Sequence, residues 1–123
     1  MKGWRKYPVI YEINTWVWLS ELSRTEGKPV TLATVPDQEW DALAAHGFDA
    51  VWFMGVWERS PAGIAISMKN EGLLEDFRRA LPDFSLADNV GSPYCVRRYV
   101  VDQHLGGPEG LATAQRGTPI GQP

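Results

Sequence analysis

The chain has 123 residues, which suits one ordinary domain and falls well short of the roughly 250 residues of a complete eight-stranded α/β barrel. Apolar residues make up 44% and charged residues 22%, a globular composition that excludes disorder on compositional grounds. The net charge of -3 is spread over interspersed acids and bases. No basic run offers a nucleic-acid footprint, and no apolar run approaches the roughly 18 residues of a membrane span, so neither nucleic acid nor membrane is expected as a partner.

The single cysteine, Cys95, rules out a disulfide framework within the chain and any zinc-type Cys/His spacing. The first residues, MKGWRKYPVIYEINTW, are basic but lack an apolar core and a small-residue cleavage site, so a secretory leader is not expected and a cytoplasmic setting is. Six tryptophans are many for this length. Tryptophan serves equally as a core residue and as a sugar-stacking surface.

In chain order, Val9 to Leu19 (VIYEINTWVWL) is rich in β-branched and aromatic residues and reads as a buried strand. A polar loop is expected over SELSRTEGKPVTLAT, broken by Gly27 and Pro29. Thr34 to Gly47 reads as a helix. Thr34 and Asp37 have capping-box spacing, Pro36 sits in the first turn, Trp40, Leu43 and Ala44 share a face, and Gly47 is placed to end the helix in the left-handed region. Phe48 to Val56 is nearly continuous in apolar residues, as a parallel strand covered on both faces should be. Strand, helix and strand make one βαβ unit, expected to be right-handed.

Trp57 to Gly63 reads as a loop and about Ser67 to Leu81 as a second helix, with Leu73, Leu74, Phe77, Ala80 and Leu81 on one stripe and Pro82 as its stop. Asp83 to Pro93 is rich in turn residues, and Tyr94 to Val101 reads as a short extended segment. Gly106-Gly107-Pro108-Glu109 opens a further helix. The closing QRGTPIGQP carries two glycines and two prolines, so residues 116–123 read as a disordered Gly/Pro-rich tail.

An ordered set of segments resembles the α-amylase family of glycoside hydrolases (family 13). The set is Val9-Ile10-Tyr11-Glu12-Ile13, then His46-Gly47-Phe48-Asp49-Ala50-Val51-Trp52-Phe53, then Pro93-Tyr94-Cys95-Val96-Arg97-Arg98-Tyr99, Asp102 and Leu105-Gly106-Gly107-Pro108-Glu109-Gly110-Leu111. The likeness covers roughly residues 7–114. Arg98 stands where the family commonly has an acid. The resemblance implies a partial TIM (β/α)8 barrel, its first two βα units only, with residues 1–115 as the N-terminal fragment of the catalytic barrel. It implies α-glucan or small α-glucoside as the substrate, with Tyr94 stacking on the sugar beside the scissile bond.

The family's chemistry needs a pair of carboxylates about 5 Å apart across one glycosidic bond, carried by later strands. The third-strand Asp-x-x-x-Asn-His signature is also absent from the sequence. No catalytic residue is therefore assigned, no metal site and no cofactor. Glu12 in the first strand and Glu58 after the second are the acids nearest the catalytic face of such a barrel. Glu58 beside Arg59 reads more simply as a loop salt bridge, and the remaining acids as solvated helix faces. His46 and His104 have neither metal-site nor triad spacing.

The expected function is thus a truncated piece of a glycoside hydrolase or transglycosidase of carbohydrate metabolism, inactive alone. The alternative is a stand-alone carbohydrate-binding or protein-interaction module that uses Trp16, Trp18, Trp52, Trp57 and Tyr94. Uncovered strands in either case point to self-association.

Overall fold

The computed structural model describes residues 3–120. These form a mixed α/β protein of five α-helices and two short two-stranded sheets. The chain divides into two compact units. The first comprises residues up to Val56 together with those from Val100 onward, and the second is the continuous segment Trp57–Tyr99.

In the first unit, β1 (Ile10–Asn14) runs parallel to β2 (Ala50–Met54), in register from Ile10 opposite Ala50 to Asn14 opposite Met54. Two helices connect them, α1 (Thr15–Glu26) and α2 (Asp37–Ala44). The expected strand from Val9 to Leu19 is therefore only half strand, and the first part of the expected loop after it, Ser20 to Glu26, is helix. The reason is legible in the burial pattern. Thr15, Leu19 and Leu22 lie buried at helical spacing, and Gly27 ends the helix at φ +70°, donating its N–H to Ser23 O. A continuous apolar run does not by itself distinguish a strand from a buried helix.

Helix α2 starts later than its sequence suggests. Pro36 is the residue before its first turn, and no side chain caps that end. Thr34 turns back instead, its Oγ1 accepting from Thr31 N at 3.0 Å. The helix also stops earlier than expected, at Ala44 with Ala45 as its right-handed cap, and Gly47 takes its positive φ of +77° in the turn that follows.

The core of this unit gathers Leu19 and Leu22 from α1, Val30, Leu32 and Val35 from the connecting loop, Trp40 from α2, and Val56, Val101, Leu105 and Ala114. Trp18, Trp40 and Phe53 pack edge-to-face and stacked around it, with centroids 5.5–6.3 Å apart. Helix α3 (Gly107–Gly117) closes the unit. Pro108 sits in its first turn as expected. The helix runs two residues past the point where the tail was expected to begin at 116, and Thr118 N bonds back to Ala114 O. Residues 121–123 of that expected tail lie outside the described residues.

Asp102 organises the entry to this helix. Its N–H donates to Val56 O, its Oδ1 accepts from His104 N, and its carbonyl accepts from the N–H groups of Leu105 and Gly107. Gly107 has φ +65°, and a Cβ there would meet the Gln103 side chain at 2.6 Å, so only glycine fits without strain.

In the second unit, β3 (Trp57–Arg59) pairs with β4 (Val96–Val101), whose last two residues belong to the first unit. Ser60 N bonds Cys95 O while Glu58 meets Arg98 and Trp57 meets Tyr99, so one strand's numbers rise as the other's fall and the pairing is antiparallel. The segment read from sequence as a loop is thus a short strand followed by a helix, α4 (Pro61–Ser67), capped by Ser60. The next helix, α5 (Glu71–Ala80), is capped by Asn70 Oδ1 accepting from Leu73 N at 3.0 Å. Its expected start near Ser67 falls at the end of α4 instead. A short 3-10 turn at Leu86–Asp88 is closed by reciprocal Ser85 and Asp88 bonds.

Candidate functional site

Tyr94 sits in a turn whose geometry the local sequence sets. Pro93 fixes one backbone angle, Ser92 Oγ accepts from Tyr94 N at 3.1 Å, and Ser92 O accepts from Cys95 N. Cys95 O then accepts from Ser60 N, fastening the turn to the start of α4. The Tyr94 side chain stands 82% exposed, an aromatic face available to a ligand.

Glu58 and Arg98 face each other across β3 and β4. Arg98 Nη2 donates to Glu58 Oε1 at 2.9 Å, and Arg98 Nε makes a second, shorter bond to Oε2. This bidentate pair replaces the expected Glu58–Arg59 bridge. Arg59 instead donates from Nη1 to Gly91 O. The Arg98 guanidinium, by hydrogen bonding first, holds the Glu58 carboxyl below its ordinary range although its side chain is only 15% exposed.

A lowered carboxyl suits an anion and not a general acid, which needs a raised pKa to hold its proton near neutrality. Asp49 is likewise committed. It accepts from Val9 N and from Arg5 Nε, both at 2.8 Å, and the Val9 N–H first and Arg5 second keep its carboxyl low. A cavity of about 660 Å³ lies beside it, lined by Trp4, Phe48 and Ile120 among others. It opens at the start of β2, whereas ligand sites in parallel sheets lie beyond the carboxyl ends of the strands.

The other sequence candidates are dispersed by function. Glu12 is exposed on β1, opposite Trp52 in register, and Trp52 is 54% exposed. Trp18 packs against the core. Trp16 stacks on His104 at 4.5 Å, and His46 on Phe48 at 5.6 Å. Trp57 packs edge-on against Tyr99. Among the described residues no group of His, Cys, Asp and Glu is arranged to hold a metal ion, and no helix is long and apolar enough to cross a membrane.

Two features escaped sequence reasoning. One is the Glu58–Arg98 pair, invisible because it depends on strand pairing forty residues apart. The other is a cavity of about 720 Å³ in the second unit. Its signal was present as the apolar stripe of α5, Leu73, Leu74, Phe77, Ala80 and Leu81. Of that stripe only Leu74 is buried. A comparison with protein-family models finds no match to this chain, and comparisons with curated proteins and with solved structures find none either.

Proposed function

We propose that this chain is a non-catalytic opening portion of an α-amylase-type (β/α)8 barrel, built to act on α-glucosidic bonds when the rest of the barrel supplies the carboxylate pair. Its parallel strands are the first two of that barrel, and Tyr94 is its sugar-stacking residue. What carries the reading is the exposed Tyr94 ring on a turn braced by Ser92 and Ser60, within the segment of strongest family likeness. A pyranose presents an apolar C–H face that such a ring covers. The inactive half of the proposal draws support from Glu58, which Arg98 holds ionised and engages on both oxygens, so it is unsuited to act as a general acid.

The test is a titration of the purified chain with maltotriose, followed by NMR of the tyrosine rings, alongside reducing-sugar release from maltodextrin. Saturable shifts that vanish in Tyr94→Ala, with no turnover, are expected. Turnover of any kind, or sugar binding indifferent to Tyr94→Ala, overturns the proposal. A second reading, a stand-alone interaction module, draws support from the exposed Ile10 and Trp52 on one face of the β1–β2 sheet. Such faces in parallel sheets are normally covered. Concentration-dependent self-association by sedimentation, removed by Trp52→Glu in a chain whose tyrosine rings show no maltotriose-dependent shift, favours that module.

A further inference from the structure

The second unit's cavity, about 720 Å³, falls in the range of small-molecule sites, roughly 300–1,000 Å³. The apolar stripe of α5, with Leu73, Phe77 and Leu81, forms one wall, and Ile66 and Phe84 form another. Phe77 and Phe84 pack with centroids 5.1 Å apart. Ile66, at the end of α4, is 70% exposed although it lines the concavity. Large apolar side chains left open around a hollow mark a binding surface.

The polar atoms of the wall are engaged with one another. Asn89 Nδ2 donates to Ser67 Oγ at 2.9 Å, and Ser67 Oγ donates to Ile64 O. Asn89 Oδ1 accepts from Gly91 N, and Ser92 Oγ accepts from Tyr94 N. A polyhydroxyl ligand therefore finds few partners here. One lining residue carries a formal charge, Asp88. Its Oδ2 accepts from Ser85 N and Ser85 Oγ, and among the described residues no arginine or lysine forms an ion pair with it.

We propose that this cavity binds a small hydrophobic amine, its apolar body against the α5 stripe, Phe84 and Ile66 and its ammonium group at the Asp88 carboxylate. Charge complementarity selects the class. A carboxylate-bearing amphiphile meets repulsion at Asp88, a neutral one forgoes the ion pair, and an ammonium gains it. The proposal stands apart from the α-glucoside reading, since neither Tyr94 stacking nor the barrel enters it.

The experiment uses the full chain and the uncharged fluorophore N-phenyl-1-naphthylamine, displaced in turn by octylamine, 1-octanol and octanoate at neutral pH and low salt. The three share one alkyl body and differ in charge. Octylammonium is expected to displace the probe at about fivefold lower concentration than octanol, the worth of one exposed ion pair, with octanoate weakest. Raising the salt narrows the gap. Asp88→Asn removes the octylammonium preference and leaves octanol unchanged. Ile66→Gln, at an exposed position that folding does not depend on, weakens all three. Octanoate binding as well as octylammonium, no probe fluorescence, or indifference to Ile66→Gln overturns the proposal. So does a doubled mass by light scattering with the probe signal lost on dilution, which assigns the cavity to a second copy of the chain.

Discussion

The two units hold together by different means. Among the described residues, the first unit contains nearly the whole buried apolar core, from Ile13 to Ala114, whereas the second contributes Leu74 alone. The second is bound instead by directional contacts: the Glu58–Arg98 pair, the Ser60 and Asn70 helix caps, Arg59 on Gly91 O and the Ser85–Asp88 turn. Size accounts for the contrast. Segments near 40 residues bury too little apolar surface to stand on a core, and residues 57–99 fall there. The first unit recruits two distant stretches of chain and so closes a core around Trp40 and Leu105. The lesson is that the larger unit fixes the fold, while the smaller one is free to carry surface features such as Tyr94 and an open cavity.

The contrast is breakable by mutation. Trp40→Ala in the first unit removes the ring that Trp18 and Phe53 pack against, and it is expected to cost about 3–5 kcal/mol, measured by urea denaturation followed by circular dichroism. Leu105→Ala, at a side chain almost wholly buried, should follow at about 2–5 kcal/mol. Leu74→Ala is expected at or below about 2 kcal/mol, because its surroundings border an open cavity and relax. Hydrogen exchange should locate that loss within residues 57–99. An equal loss for Leu74→Ala and Trp40→Ala would refute the distinction between the units.

A smaller effect is expected at the helix entry. Gly107→Ala places a Cβ at positive φ against Gln103, and the left-handed conformation alone costs about 1–2 kcal/mol. Thermal denaturation of the first unit reports it.

The smallest effect concerns acid. Glu58 has a folded pKa below its unfolded one. The contribution of its pair with Arg98 is therefore complete above the ordinary glutamate value of about 4.3 and is lost as pH falls through the lower folded value. Arg98 is 62% exposed, so screening keeps this contribution slight. The stability of the second unit should decline below about pH 4, and Glu58→Gln should flatten that decline. An unchanged acid limb in the variant would remove the pair from the account.

Much of the first unit was legible in the residues. The β-branched and aromatic runs at Ile10–Asn14 and Ala50–Met54 form the two parallel strands, and Trp40 and Leu43 mark the inward side of α2. Gly106-Gly107-Pro108 opens the closing helix. Thr15–Glu26 was misread because its apolar beginning continues without a break from the strand. The helical spacing of Thr15, Leu19 and Leu22 across the supposed boundary was the available clue. Thr34 misled in another way, since its hydroxyl serves a local turn and not the helix start. At the candidate site, Tyr94 was singled out from its segment alone, whereas the bracing of its turn by Ser60 depends on contacts distant in sequence.

By itself, the sequence determined where the chain breaks and bends. Gly27 ends α1 and Gly107 begins the closing helix at positive φ, and Gly47 takes the same conformation in the turn after α2, because local conformational cost acts without regard to the rest of the fold. Tertiary structure alone decided the partners of the charges and the fate of the apolar stripes. Glu58 chose Arg98 over its neighbour Arg59 because antiparallel pairing brings the two together, and Leu73, Phe77 and Leu81 line a hollow because too little chain is present in that unit to cover them.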